Sequence, residues 1–187
     1  MTDSTTTVDV PGYKAGTWVL DPSHSEVTFS LRHMMISNVR GEFGVKSATI
    51  EAPENPLEAK VTASVDAASI STNDENRDKH LRSADFFDVE TYPTIDFVST
   101  GVRYEKGDFL VDGDLTMHGV TKPVTFELEF GGFGTDPYGN YKAGATAKAV
   151  VNREDFGLTW NAALESGGVL VGKDVTITLD LQGSIQA

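Results

Sequence analysis

His24, His33, His80 and His118 are the side chains of this chain best suited to acid–base work or metal ligation. His24 and His33 fall on one apparent strand an odd number of residues apart, which puts them on opposite faces and keeps them from sharing an ion. His80 falls in a helix pattern and His118 in a turn, and no HxH or HxxxH pair occurs, so no metal site is expected. Asp21 with His24, and Asp78 with His80, are the carboxylate neighbours a hydrolytic triad would need. With no GxSxG elbow and no Gly-rich phosphate loop they read as surface adjacencies, and no catalytic residue and no cofactor is assigned. The absence of cysteine removes thiol nucleophiles, disulfide scaffolds and zinc fingers. The basic cluster Arg77, Lys79, His80 and Arg82 is offset by Glu75 and Asp78 at i,i+4 spacing, which favours a charge-paired helix over an anion site.

The elements that must position these side chains are strands. Val27, Phe29 and Leu31 alternate with polar residues, as do Leu57 through Val65, Val124 through Phe130, and Val175 through Leu181. Further strands are expected at about Val39–Ile50, Thr94–Tyr104, Asp108–Met117 and Tyr141–Val151, divided by turn signals such as Lys106-Gly107 and His118-Gly119. One polar face on every strand implies an all-β fold, a barrel or sandwich around a single interior, and closure removes edges that invite aggregation. Ser71–Arg82 breaks the pattern as a short helix, with Thr72 and Glu75 as its capping box. A second helical turn is expected at Asn161–Glu165, ended by Gly167 and Gly168.

The domain spans 16–187, and the Thr-rich tail, 1–15, is expected to be mobile because it has almost no apolar face. At this length a single domain buries roughly 70% of its unfolded surface without metal or disulfide support. With 28 Asp and Glu against 15 Lys and Arg the net charge is −13, which argues against nucleic acid and implies weak attachment to anionic bilayers, with no stable membrane insertion. No secretory signal or apolar span is legible, so a cytoplasmic location is expected.

The row Tyr141, Ala143, Ala145, Ala147 and Ala149 gives its strand an inward face made almost entirely of methyl groups. Either a ligand cavity lies against it, or large partners such as Phe29, Phe43, Phe97 and Phe126 fill the space. Strand parity nominates Phe29, Leu31, His33, Phe43, Phe97, Met117, Phe126, Leu128, Ala143, Ala145, Ala147, Ile177 and Leu179 as the lining, with His33 at the barrel mouth.

The run Asn76–Phe87 followed by Tyr92-Pro93-Thr94-Ile95-Asp96-Phe97 resembles the signature RDxHLRSxDFF…YPxxxF of the YceI-like family. Asp21–Ser25, Val39–Phe43, Gly113–Thr116, Gly119–Val124 and Arg153–Gly157 add to the resemblance, which covers about Gly16 to Ile185. It implies an extended antiparallel eight-stranded lipocalin-like barrel with one or two short helices. Its lumen would hold a polyisoprenoid, quinone-like or prenyl phosphate, or a fatty-acid-like amphiphile for storage or transport, without catalysis. It also implies a homodimer. Two other functions stay open at this point: a lipid-modifying enzyme using His33, and a dimeric stress-related module with a filled core.

Overall fold

Alternating apolar and polar residues build antiparallel strands here, and a computed structural model describes residues 7–164 and 168–186. The strands are β1 (Gly16–Leu20), β2 (Glu26–His33), β3 (Ser37–Phe43), β4 (Val45–Ala52), β5 (Lys60–Asp66), β6 (Thr94–Glu105), β7 (Asp108–Met117), β8 (Val120–Thr135), β9 (Tyr141–Asn152) and β10 (Asp174–Ile185). The helix is α1 (Glu75–Arg82). Neighbours run β1-β4-β5-β6-β7-β8-β9-β10, and β10 returns to β1 to close an eight-stranded barrel. β2 and β3 extend the sheet as a hairpin that continues the lines of β1 and β4. Irregular registers at Val45/Ser47, Ser99/Gly101 and Phe130/Gly132 bend the wall toward closure.

β10 closes the ring by pairing two strands in turn along one edge: Thr176–Asp180 with β2, then Gly183–Ile185 with β1. Between them Pro22–His24 forms a 3-10 turn capped by Asp21, whose carboxylate accepts from the Ser23 amide. Gln182 faces this interruption. Its carbonyl accepts from the Asp21 amide (2.8 Å) and the Ser25 hydroxyl (3.3 Å), and its amide donates to the same Ser25 oxygen (3.1 Å).

The two barrel ends differ. Trp18, Phe109, Phe130, Phe133 and Tyr141 form a chain of ring contacts with centroids 5.4–6.3 Å apart that fills one end. Of the N-terminal tail, residues 12–14 lie over this plug: Tyr141 donates to the Gly12 carbonyl, Tyr13 to Pro53 (2.6 Å) and the Trp18 indole to Lys14 (3.0 Å). The other end is framed by α1, the β2–β3 hairpin, the β7–β8 turn and residues 153–164 and 168–173. The Arg153 guanidinium, 3% exposed, holds these residues by donating to the carbonyls of Leu158, Trp160, Val171 and Gly172.

Four local expectations are corrected. Leu57 and Ala59 do not begin a strand, because Asn55 caps a 3-10 turn at Pro56–Glu58 and pairing starts at Lys60. Val39–Ile50 is two strands broken at Gly44, whose amide donates to Ser69 Oγ (2.7 Å) and whose carbonyl accepts from Asp66. Asp74, not Thr72, caps α1; Thr72 instead donates to the buried Asp78 carboxylate. Asn161–Leu164 is not helical: the Asn161 amide group bonds both the N–H and the carbonyl of Val171, and Ala163 bridges Val169. Glu165 and Gly167 of that expected turn lie outside the described residues.

Two glycines keep aromatic rings flat on the wall. Phe29 lies across Gly41 and Phe97 across Gly113, so closely that a Cβ on either glycine would stand 2.3 Å from the ring. Gly113→Ala would also meet the Val98 carbonyl at 2.6 Å, so ring and backbone must both shift. The expected loss is about 1–3 kcal/mol of unfolding free energy, read as a lower urea midpoint on delipidated protein at unchanged slope. Ser25→Ala should cost about 1–3 kcal/mol in the same assay, because it strips the Gln182 amide of its acceptor at a buried position.

Candidate functional site

Inside the barrel, beyond the aromatic plug, lies a cavity of about 640 Å³. Its wall is apolar along most of its length, with Val27, Val61, Ile95, Val111, Leu115 and Val175 beside the residues that parity nominates. Many of these inward side chains, Val27, Phe29, Leu31, Ala63 and Ile177 among them, are only half-buried although they point to the barrel axis. A filled core would bury them; they face open space instead.

Of the nominated lining, Phe29, Leu31, His33, Phe43, Phe97, Met117, Phe126, Leu128, Ala147, Ile177 and Leu179 border the cavity. Ala143 and Ala145 do not. They keep the same parity but sit opposite Phe133 and Phe130, at the level where the plug occupies the lumen. Along the alanine row, Ala145 pairs with Phe130, and Ala147, 4% exposed within the wall, borders the cavity.

Strand parity could not find the lining supplied outside the barrel strands: Leu81 of α1, Phe86 and Phe87 after it, and Leu158, Trp160 and Leu170 from the stretch that follows β9. The apolar positions of the motif His80–Phe87 were the available signal for the first group. These segments also bring the polar groups of the site to one end. Arg32, His33, Asn76, Arg77, His80 and Arg153 border the cavity there, with Asp74 and Asp96 as the carboxylates of its lining among the described residues.

Several of these polar groups already have protein partners. Arg77 donates to the Thr72 hydroxyl (2.7 Å) and carbonyl (2.8 Å). His80 Nε2 meets Asp85 Oδ2 at 2.8 Å, and its ring stands edge-on to Trp160 and Phe86, with centroids 4.8 and 5.1 Å away. Arg153 is satisfied by carbonyls, and burial pulls its guanidinium below the usual value. The i,i+4 pairs expected on α1 do not form: Asp78 turns to Thr72, and Arg82 donates to the Ala68 carbonyl. Asp78 and His80 are therefore not partners.

Asp21 and His24 do meet, Oδ2 to Nδ1 at 2.8 Å, with Ser23 Oγ donating to Asp21 Oδ1 (2.6 Å). The Ser23 and His24 hydrogen bonds hold the Asp21 carboxyl down at about 2. The group belongs to the 3-10 turn at the barrel seam and does not border the cavity. Among the described residues no three His, Cys, Asp or Glu side chains stand close enough to hold a metal ion. The arrangement suits an elongated apolar molecule enclosed by hydrocarbon, with its polar end toward α1 and the hairpin.

Residues 18–183 match the YceI-like domain family. A UPF0312 protein of Staphylococcus aureus (strain MSSA476) is 38% identical over 170 residues, 90% of this chain and 97% of that protein. Among solved structures, BcnA of Burkholderia cenocepacia superposes with a TM-score of 0.75 at 21% identity, covering 87% of this chain and 98% of that one. A polyisoprenoid binding domain from Saccharophagus degradans superposes with a TM-score of 0.66 at 16% identity, covering 90% and 98%. The last two show a shared fold, and the family match together with the staphylococcal relative shows descent: this chain belongs to the YceI-like family.

Proposed function

We propose that the protein binds and carries a long apolar amphiphile of the polyisoprenoid type in its barrel, without chemically transforming it. The observation that carries this reading is the unfilled apolar cavity between the aromatic plug and the polar mouth. Its volume of about 640 Å³ sits inside the range of roughly 300–1,000 Å³ typical of small-molecule sites. Each methylene moved from water into such a wall contributes about 0.8 kcal/mol, so a branched hydrocarbon chain is held without a specific hydrogen bond along its length. The solved polyisoprenoid binding domain of Saccharophagus degradans shares the fold, which supports the choice of ligand class.

The filled-core alternative loses its basis once the lumen is hollow. In the enzyme alternative His33 would need a reacting partner. It borders the cavity, but the carboxylates nearest in type, Asp74 and Asp96, already accept from the Arg77 amide and the Thr94 hydroxyl. By family resemblance the working unit is a homodimer; light scattering that returns the mass of one chain at micromolar concentration removes that part of the proposal.

Native mass spectrometry of the protein mixed with a polyprenol should show a one-to-one complex, and repeated empty spectra would overturn the reading. The alanine row locates the ligand. Ala147→Phe adds a ring at a buried wall position that borders the cavity, so uptake should fall severalfold while the urea midpoint of delipidated protein drops less than for Ala145→Phe. Ala145→Phe meets the plug instead and should lower stability by about 1–3 kcal/mol. The measurements must use delipidated protein, because bound ligand itself raises the midpoint. Equal stability losses at both positions would mean that the lumen beside Ala147 is closed.

A further inference from the structure

The β2–β3 hairpin ends in Met34-Met35-Ile36, whose side chains are 43%, 54% and 77% exposed. We propose that this tip is the surface by which the protein touches the lipid bilayer that supplies or receives its ligand; the ligand part rests on the cavity reading above.

Position is the first argument. Leu31, Arg32 and His33 on the strand entering the turn, and Val39 on the strand leaving it, all border the cavity. The tip is therefore continuous with the mouth. A molecule too apolar to cross water is best received where the mouth is pressed against its source.

Charge is the second argument. From Val27 to Gly41 the chain has no Asp or Glu, and its fixed charges are Arg32 and Arg40. In a protein of net charge −13 this hairpin can approach lipid head groups without the repulsion the rest of the surface would meet. The neighbouring strip Gly168–Lys173, against which the hairpin rests, also lacks acids. The Met34 amide donates to the Leu170 carbonyl (2.8 Å), and Met35 packs beside Gly168.

Backbone conformation is the third. Met34 and Met35 both take left-handed φ, +54° and +64°, which Gly or Asn would adopt at lower cost. The turn holds two thioether side chains at a place where turn chemistry alone favours small or polar residues. Arg32 braces it by donating to the Met35 carbonyl (2.8 Å).

A bilayer suits this tip better than a protein partner. A stable protein interface buries about 800 Å² on each side and needs a complementary surface. Three side chains on a convex turn fall far short of that, whereas the interfacial zone of a membrane accepts small apolar insertions without a preformed pocket. Contact of this size is transient, and it agrees with the absence of any helix long and apolar enough to span a membrane among the described residues.

The test is flotation of the full chain with phosphatidylcholine vesicles, comparing wild type with the double variant Met35→Ser, Ile36→Ser. The control is Val98→Ser, Val150→Ser, which removes exposed apolar side chains from the outer wall. Wild type and control should float equally, and the tip variant at least tenfold less. Its urea midpoint and its uptake of polyprenol from detergent micelles should match wild type. Equal flotation of wild type and tip variant overturns the proposal, as does a wild type that does not float. Binding that requires anionic lipid and vanishes in high salt also overturns it, because the cations would then be the grip. So does a tip variant that changes the oligomeric mass in light scattering without changing flotation, since the tip would then join two copies of the chain. If neither protein takes up polyprenol while flotation remains tip-dependent, the ligand reading fails and the docking surface stands.

Discussion

The closing seam at Gln182 is the constraint on which the rest of the molecule depends. A barrel has no exposed edges only if its last strand finds its first, and β10 does so by serving β2 and then β1 across a break. At such a break the half-buried amide and carbonyl of Gln182 need partners from outside a ladder, and a polar group left unmet inside a protein costs about 1–3 kcal/mol. The Ser25 hydroxyl bonds both, and Asp21 fixes the turn that delivers it. Past the break β2 continues along the same edge of β10, and the hairpin it forms with β3 extends the barrel past its closed ring. The hairpin's share of the cavity wall and the exposed methionine tip follow from that extension. The group Asp21, Ser23 and His24, which in sequence looks like the beginning of catalytic chemistry, is this joint.

The motifs behind the family resemblance mostly serve the same purpose. Asp78 and Arg77 both tie down Thr72, which abuts Gly41 of β3. Gly119 admits the Tyr92 ring at a distance no side chain would allow, and His118 bonds the Phe156 carbonyl (3.0 Å). Arg153 gathers four carbonyls of the segment that bears Trp160. The recognisable residues build the frame of the mouth, while the wall of the cavity is written in interchangeable aliphatic side chains.

That division explains what could be read from the sequence. Period-2 alternation located the long strands because each has one wet and one dry face, and the same parity put eleven of the thirteen nominated residues on the cavity. Parity carries no information about depth along the axis. Ala143 and Ala145 share the inward parity yet lie level with the plug, which is assembled from β1, β7, β8 and β9 together. Capping patterns were equally ambiguous where several polar residues compete: Thr72 and Asp74 both suit a helix start, and the buried Asp78 decided between them by engaging Thr72. Leu57 and Ala59 kept perfect alternation and still left the sheet, since Pro56 lacks the amide a ladder requires.

The chemistry of the mouth bears on how a ligand would be selected. The basic side chains that border the cavity look in sequence like a head-group site, but Arg32, Arg77, His80 and Arg153 are engaged with the Met35 carbonyl, Thr72, Asp85 and further main-chain carbonyls. To bind an anion with them, the protein would have to break bonds that hold α1 and the stretch that follows β9 in place. Each such bond to a charged group contributes about 1.5–3 kcal/mol, so a head group gains little net affinity by displacing one. The apolar wall has no such competitor, because its aliphatic and aromatic side chains make no hydrogen bonds that a ligand would have to break. Affinity in this design grows with the length of hydrocarbon enclosed, at about 0.8 kcal/mol per methylene. Under the proposed function, selection would act through the depth between plug and mouth, which ends where Trp18, Phe130 and Phe133 fill the lumen.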